Sequence, residues 1–323
     1  MKLIAVSFSV FATLLVPTGS VLAQTFPSKP VRVVIPFPPG GEIEVATRLF
    51  GTYLAKVMGQ PFLIESRPGG NTMIGAEAVA KSPADGHTLL ICGPSTFTIN
   101  PIFYGARLPY DYARDFTPVT VVSSTPYFIT VASSLPAKTM AELLALAKAE
   151  PGKLSFVSSG TGSSNHLAYE ILTRAAGVSM IHVPYKGMQL AIPDLMSGRV
   201  TTLMAGLPIV GPNIKAGKLR AIGVTSLARS PLMPEVPAIS EAVPGFDIIA
   251  WFALFAPSKT PPDTVVRLNF ELRKYLTSAE AKEEYLKIGH DAVGSSIDQL
   301  VALVKADTAK YERVIREANI KLE

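Results

Sequence analysis

Short apolar strands alternate with helical patterns along most of the chain, and this alternation constrains the fold more than any other feature. In the first third, apolar strands at 31–35, 62–65 and 88–92 are separated by helical patterns that end at Met58 and Lys81. Strands that alternate with helices form mainly parallel sheets that are covered by helices on both faces. The sequence therefore predicts an α/β protein.

A second series of strands and helices predicts a second α/β unit that is inserted into the first. Its strands are predicted at 128–131, 154–157, 180–183, 201–204 and 221–224, and its helices at 140–149, 167–176 and 189–197. Two longer apolar strands, 117–122 and 246–256, bracket this series and are candidates for a two-strand hinge, and a last helix is predicted at 297–318. We expect one lobe from residues 24–122 and 250–323 and another from 123–249, because 323 residues exceed the usual size of a single core.

The first 23 residues have the pattern of a secretory signal peptide. Lys2 precedes an apolar run of about 14 residues, which is shorter than the roughly 20 that a membrane-spanning helix needs. Small residues end this segment at Ala23, after which we expect cleavage. The sequence therefore predicts a protein that is exported from the cytoplasm, in which the single cysteine, Cys92, has no partner for an internal disulfide.

The charges exclude some classes of partner. The net charge is +5, and Lys and Arg are scattered without a basic stripe, which argues against nucleic-acid binding and suits small anionic ligands. The four histidines are far apart in sequence and lack the spacing of metal ligands. We expect no metal or cofactor and a monomeric protein.

The first candidate site follows the first strand, in the sequence VVIPFPPGGEIEV (33–45). Prolines end the strand, Gly40 and Gly41 let the backbone approach a ligand, and a helix begins directly afterwards. The free N–H groups at a helix N-terminus bind anions well. The loop is a candidate anion site, although an ordinary strand-to-helix turn has the same pattern.

The second candidate site is the loop SSGTGSSNHLAYE (158–170), which carries five Ser and Thr hydroxyls and two glycines before a helix. These hydroxyls offer neutral donors to a carboxylate, and one or two of them are expected to cap the helix. The spacing fits neither a phosphate-binding loop nor a hydrolase nucleophile elbow. A secreted esterase that uses Ser163 and His166 remains an alternative.

Five longer motifs occur in order along the chain: FPSKPVRVVIPFPPGG (26–41), RPGGNTMIGAEAVAKSPADGHTLL (67–90), LSFVSSGTGSSNHLA (154–168), HVPYKG (182–187) and WFALFAP (251–257). Together they closely resemble the Bug family, the periplasmic substrate-binding proteins of tripartite tricarboxylate transporters. The resemblance implies a two-lobed Venus flytrap fold, in which each lobe is a sheet flanked by helices and two hinge strands connect the lobes. It also implies a small carboxylate ligand, membrane permease subunits as partners and no catalysis.

The resemblance further implies that neutral donors hold the ligand carboxylate in the cleft. The residues expected to bind the ligand are Phe37, Pro39, Gly40, Gly41, Glu44, Met73, Ser95, Thr96, Ser158, Ser159, Thr161, Gly162, Ser163, His166, Lys186, Gly187, Gly206, Leu207 and Phe252. A sensory role, in which the protein presents its ligand to a sensor kinase instead of a permease, is a second alternative.

Departures from the family pattern suggest which carboxylate is bound. Met73 replaces a residue that is commonly polar, and Ala205-Gly206 replaces an acidic or amide pair before Leu207. With Phe97 and Phe252, these residues predict an apolar distal pocket and an aromatic or otherwise apolar carboxylate. Glu44 stands where the family commonly has Asp, and it either avoids the anion or binds an amine or hydroxyl of the ligand. Glu42 is expected to point away from the site.

Overall fold

The computed structural model describes residues 26–317 and 319–321, so the predicted signal peptide lies outside the described residues. No helix in this part of the chain is both long and apolar enough to cross a membrane. The strands are β1 (Val31–Ile35), β2 (Phe62–Ser66), β3 (Thr88–Cys92), β4 (Phe116–Pro126), β5 (Phe128–Ala132), β6 (Ser155–Ser158), β7 (Ile181–Pro184), β8 (Thr202–Ala205), β9 (Leu219–Val224), β10 (Ile249–Pro257) and β11 (Asp291–Ala292).

Helices connect most of these strands. They are α1 (Glu42–Met58), α2 (Met73–Ala80), α3 (Asn100–Tyr104), α4 (Tyr112–Asp115), α5 (Met140–Ala149), α6 (Ser164–Ala176), α7 (Ile192–Met196), α8 (Leu207–Lys215), α9 (Pro262–Leu276), α10 (Ala279–Lys287) and α11 (Ile297–Glu317), with a π-helical turn at Ser95–Ile99.

The first sheet has six strands in the order β11-β4-β10-β3-β1-β2. Helix α1 covers it because its apolar residues recur every three or four positions, and Ile43, Ala46, Phe50 and Leu54 are all buried. The helix ends at Gly59, whose φ of 78° is a left-handed conformation that favours glycine. The first lobe therefore has its own core, between this sheet and its helices.

The second sheet has five strands in the order β7-β6-β8-β5-β9 and forms a separate core with α5 and α6. The sequence analysis predicted both mixed helix–strand units, and it placed β1, β3 and α5 at the bounds that the structure has. The two-lobed α/β fold with a sheet in each lobe is thereby confirmed.

The expectation of mainly parallel sheets was wrong for the strands that join the lobes. Strands β1, β2 and β3 are parallel, as are β6, β7 and β8, but β10 pairs antiparallel with β3 and β4, and β5 pairs antiparallel with β8 and β9. Antiparallel pairing arises because the chain leaves the first sheet along β4 and returns to it along β10. Tyr127 is the single residue between β4 and β5, so it lies where the chain passes from one sheet to the other. The residue bounds of the two lobes stay a prediction.

The last helix, α11, contacts both lobes. Its residues Tyr311 and Ile315 pack with Ile99 of the first lobe and with Leu167 of α6 in the second. The sequence analysis predicted α11 but missed α3, α4, α8, α9 and α10. Helix α8 contains Pro208, Gly211 and Pro212, residues that weaken a helical pattern.

Candidate ligand-binding site

A cavity of about 610 Å³ lies between the two lobes, a size typical of small-molecule sites. The first lobe contributes residues 36–38, 41–43, 68–72, 93–95 and Phe252 to the lining. The second lobe contributes Ser159, Ser164, Asn165, residues 186–189, 204–206 and Ile209. Tyr127 and Ala250, from the two segments that connect the lobes, complete it. Both lobes therefore contribute walls to one cavity, as the carboxyl ends of strands in α/β proteins commonly do.

Only part of the predicted site lines this cavity. The predicted residues in the lining are Phe37, Gly41, Ser95, Ser159, Lys186, Gly187, Gly206 and Phe252. The predicted residues outside the lining are Pro39, Gly40, Glu44, Met73, Thr96, Ser158, Thr161, Gly162, Ser163, His166 and Leu207. Ligand contact stays a prediction for both groups.

Four helix N-termini from the two lobes meet at this cavity. Glu42 and Ile43 begin α1, Thr72 precedes α2, Ser164 and Asn165 begin α6, and Gly206 precedes α8; all of these residues are in the lining. The first N–H groups of a helix have no acceptor within the helix, and the helix dipole adds partial positive charge at that end. The cavity is therefore suited to an anion without requiring a cluster of basic side chains.

The loop before α1 uses one of its N–H groups internally. The Gly40 N–H donates a hydrogen bond of 2.8 Å to Oε2 of Glu44, and the same carboxylate pairs with Arg48. Both interactions lower the pKa of Glu44, and the hydrogen bond from the Gly40 N–H has the larger effect. The Glu44 carboxylate therefore holds the loop in shape, while Gly41 at the helix N-terminus remains in the cavity wall.

The loop before α2 has an unusual backbone that the sequence analysis missed. Four consecutive residues have positive φ: Gly69 (123°), Gly70 (56°), Asn71 (48°) and Thr72 (76°). A left-handed conformation is costly for a β-branched residue such as Thr72, and such strain persists only where the surroundings enforce it. The run of Gly, Gly and Asn in the sequence was a signal for this loop.

Hydrogen bonds to Asn100 and Thr96 enforce this conformation. Asn71 Nδ2 donates to Asn100 Oδ1 at 2.8 Å, and Asn100 Nδ2 donates back to the Asn71 carbonyl at 2.7 Å. The Thr96 hydroxyl donates to the Thr72 hydroxyl at 3.0 Å and is itself fully buried. Thr96, a predicted ligand contact, therefore supports the cavity wall from behind.

The hydroxyl-rich loop before α6 folds largely onto itself. Ser163 Oγ lies 2.6 Å from the Gly160 carbonyl oxygen and 2.7 Å from Asn165 Oδ1, so its single proton is shared between these two acceptors, and the oxygen caps α6 by accepting from the His166 N–H. Ser158 Oγ lies 2.6 Å from His182 Nε2. The residues of this segment that line the cavity are Ser159, Ser164 and Asn165, and the sequence analysis missed the last two.

The esterase alternative finds no support in the geometry of Ser163 and His166. Neither acceptor of the Ser163 hydroxyl is an imidazole, and His166 Nδ1 accepts a hydrogen bond of 3.2 Å from the Gly162 N–H. Burial, and secondarily His182, lowers the pKa of His166 to about 4. The ring is buried and stacks on His182 with a centroid distance of 4.0 Å.

The expected apolar pocket is only partly formed by the residues chosen for it. Phe97 is buried in an aromatic cluster with Phe116 and Phe255, with centroid distances of 4.7 Å to each, and it does not line the cavity. Met188, Met204, Ile209 and Ala250 contribute apolar lining that was not predicted. Phe252 and Ala205, which the sequence analysis did assign to the apolar pocket, also line the cavity. The cavity wall is thus substantially apolar between its polar helix ends.

Glu42 was expected to point away from the site, and this expectation was wrong. Its side chain lines the cavity and is only 13% exposed, and a Cβ built on Gly206 would lie 2.3 Å from its Oε2. Glu42 therefore spans from the first lobe to the N-terminus of α8 in the second. The sequence gives no indication of this contact, because it depends on how the lobes face each other.

Residues 46–320 match the family described as "Tripartite tricarboxylate transporter family receptor". The chain belongs to this family. It is 39% identical over 305 residues to a UPF0065 protein in the tcbD-tcbE intergenic region of Pseudomonas sp. (strain P51), which covers 93% of this chain and 90% of that protein. It is 33% identical over 304 residues to protein BugT of Bordetella pertussis, with coverage of 94% and 93%.

A solved structure supports both the family and the fold. The Rpa4515 protein of R. palustris with adipate superimposes with a TM-score of 0.86 at 36% identity, covering 92% of this chain and 99% of that one. The resemblance to Bug-family tripartite tricarboxylate receptors is therefore confirmed. Members of this family are periplasmic substrate-binding proteins.

Proposed function

We propose that this protein is a periplasmic receptor that captures a small carboxylate between its two lobes and delivers it to a membrane transporter. The observation that carries the proposal is the convergence of four helix N-termini, from both lobes, on one cavity. Helix N-termini offer N–H donors and partial positive charge, so they hold a carboxylate without a fixed counter-charge. The apolar remainder of the wall favours a ligand with an aromatic or aliphatic body.

Closure of the lobes couples ligand capture to a change of shape. Helix α1 and the N-terminus of α8 meet through Glu42 and Gly206, and Leu207 lies against Gly289, where an added Cβ would be 3.0 Å from the Leu207 Cβ. A ligand that bridges the two lobes makes its full set of contacts only when these surfaces approach, so it stabilises the closed state. A transporter that recognises the closed state would then receive only loaded receptor.

Calorimetric titration of the mature protein tests carboxylate capture. The panel is citrate, malate, adipate, nicotinate, benzoate and phthalate, and we expect a ligand with an apolar body to bind more tightly than citrate. Clear selectivity for citrate would contradict the apolar ligand, and no binding by any carboxylate would contradict the receptor function.

A pair of matched variants locates the binding. Ser159→Glu adds a negative charge to the cavity wall, and Ser134→Glu adds the same charge at an exposed position of the second lobe. We expect Ser159→Glu to weaken carboxylate binding at least tenfold and Ser134→Glu to change it less than twofold. Equal effects of the two variants would show that the carboxylate binds elsewhere.

Delivery to a permease is tested by uptake. The proposal includes export through a signal peptide cleaved after Ala23 and a monomeric receptor, which N-terminal sequencing and size-exclusion chromatography of the exported protein would check. Deleting the encoding gene should abolish uptake of the identified radiolabelled ligand, and re-expression should restore it. Unchanged uptake with a lost transcriptional response to the ligand would instead indicate presentation to a sensor kinase.

A further inference from the structure

Glu42 places a negative charge inside a cavity that otherwise suits an anion. Glu42 and Lys186 are the only charged side chains among the described residues that line it. Lys186 is exposed at the second lobe, whereas Glu42 is largely buried at the start of α1. The cavity therefore carries one charge of each sign, and the buried one is negative.

One oxygen of the Glu42 carboxylate has no donor among the described residues. Its Oε2 is buried and has no hydrogen-bond partner among the described residues. Nε2 of His290, which is also buried and without a hydrogen-bond partner among the described residues, lies 3.7 Å from this oxygen, beyond hydrogen-bond distance, while Nδ1 of the same ring is 3.1 Å from the Ser123 hydroxyl. Buried carboxylates are normally satisfied, and an ionised carboxylate has about four acceptor positions, so even a closer approach of His290 would leave Glu42 with acceptor capacity.

Glu44, on the same helix, shows the contrast. Its carboxylate accepts from the Gly40 N–H at 2.8 Å and pairs with Arg48, and it is not in the cavity lining. Helix α1 thus carries one carboxylate that the protein satisfies and one that it leaves unsatisfied at the cavity. The sequence analysis left open that Glu44 binds an amine or hydroxyl of the ligand, but the carboxylate with an unpartnered oxygen in the cavity wall is that of Glu42.

The unsatisfied carboxylate restricts the ligand. Glu42 itself lies at the N-terminus of α1 and against that of α8, so the N-termini left to hold a ligand carboxylate are those of α2 and α6. A ligand held there satisfies Glu42 when its other end donates an N–H or O–H. A second carboxylate at that end would face the largely buried carboxylate of Glu42, where like charges repel more strongly than in bulk water. We propose that Glu42 is a specificity-determining residue that selects carboxylates bearing a hydrogen-bond donor, an ammonium or hydroxyl group, over dicarboxylates. This inference rests on the proposed carboxylate-receptor function.

Scaffold-matched ligands test the inference by calorimetry. Each series has one scaffold, whose far end carries no polar group, a hydroxyl, an amine or a second carboxylate. The six-carbon series is hexanoate, 6-hydroxyhexanoate, 6-aminohexanoate and adipate, and a four-carbon series corresponds to it. The aromatic series is benzoate, 4-hydroxybenzoate, 4-(aminomethyl)benzoate and terephthalate. Within a scaffold that binds, we expect the better donor-bearing member to bind at least tenfold more tightly than the dicarboxylate. The hydroxyl and amino members distinguish the two donor types.

Variants of Glu42 assign this preference to the carboxylate. Glu42→Gln removes the charge at nearly constant shape, and we expect it to reduce the preference for the donor over the dicarboxylate at least tenfold. Glu42→Ala should shift the preference in the same direction and serves if the Gln variant does not fold. The matched control is Glu77→Gln, which removes a carboxylate that pairs with Lys81 on α2, outside the lining, and should leave the preference within twofold.

The outcomes separate this inference from the function on which it rests. If no carboxylate of any series binds, the receptor function fails. If carboxylates bind but dicarboxylates are preferred, or if the Glu42 variants leave the preference unchanged, the receptor function stands and the role of Glu42 is overturned.

Discussion

The indole N–H of Trp251 donates a hydrogen bond of 2.7 Å to Oδ2 of Asp307, and both side chains are buried. Trp251 lies on β10, the strand that returns the chain to the first sheet, and Asp307 lies on α11, which contacts both lobes. The other carboxylate oxygen of Asp307, Oδ1, forms an ion pair with Lys310 Nζ at 2.8 Å. This bond therefore joins a strand that connects the lobes to the helix that packs across them.

Removing the indole should destabilise the protein. Trp251→Phe leaves Asp307 Oδ2 buried without its donor and leaves unfilled volume, and we expect a loss of about 1–3 kcal/mol in the free energy of unfolding. Asp307→Asn keeps an acceptor oxygen and should lose less. Urea unfolding followed by far-UV circular dichroism measures both, since Trp251 is the only tryptophan of the chain. A Trp251→Phe variant as stable as wild type would contradict a stabilising role for this bond.

The ionised carboxylate of Glu44 should stabilise the folded protein at neutral pH, and this contribution should be lost in acid. The Gly40 N–H, and then Arg48, lower the pKa of Glu44 in the folded state. A lowered carboxyl pKa contributes stability above the unfolded value of about 4.3, and this contribution is lost as the pH falls through the folded value. Glu44→Gln should therefore cost more at pH 7 than at pH 3, by less than about 1 kcal/mol because Arg48 is exposed to solvent.

Urea unfolding of this variant at the two pH values gives the measurement. Arg48→Met keeps the loop N–H bond and removes only the second cause, so it should change the pH dependence less than Glu44→Gln does. An equal cost of Glu44→Gln at both pH values would show that the carboxylate does not hold the loop through its charge.

His166 should make the protein less stable as the pH falls from 6.5 to 4. Burial, and then His182, lowers the pKa of His166 to about 4, so the folded state keeps the ring neutral while the unfolded state protonates it near 6.5. The contribution of the neutral ring to the free energy of unfolding is fully present above the unfolded pKa of about 6.5. It is lost as the pH falls toward the folded pKa of about 4, on the order of 3 kcal/mol in total. His166→Asn should flatten this part of the curve of unfolding free energy against pH.

The ionisation itself is measured by following the imidazole resonances by NMR between pH 4 and 8. A His166 ring that titrates near 6.5 in the folded protein would contradict the effect of burial. An unchanged slope in the His166→Asn variant would assign the pH dependence to other groups.

The sequence predicted the parts of the fold and site that depend on local pattern. Strands β1 and β3 and helix α5 have the predicted bounds because their apolar periodicity and flanking Pro, Gly and Thr residues are local signals. The loops after these strands contribute Gly41 and Ser95 to the cavity, as expected from the carboxyl ends of strands.

The parts that depend on tertiary contacts were not predictable in the same way. Thr72 has a left-handed backbone because the hydrogen-bonded pair Asn71–Asn100, from segments far apart in sequence, holds the loop. Glu42 lines the cavity because Gly206 of the other lobe lies against it. Hydroxyls such as that of Ser163 looked like ligand donors, but their acceptors are backbone and side-chain groups of their own loop.

Gly75 should be essential for the packing of α2 against the cavity loops. A Cβ at this position would lie 2.8 Å from Pro36 Cβ and 2.9 Å from the Arg67 carbonyl oxygen. Neither a backbone oxygen nor a proline ring can move aside as the end of a flexible side chain can. Because these contacts position the loops at 36–38 and 68–72, which line the cavity, Gly75→Ala should cost about 1–3 kcal/mol of unfolding free energy and also weaken ligand binding. Gly211→Ala, inside α8 with no atom within 4 Å of the added Cβ, is the matched control and should be neutral or stabilising. Thermal unfolding and calorimetry of the two variants make the comparison, and equal stability and affinity would contradict close packing at Gly75.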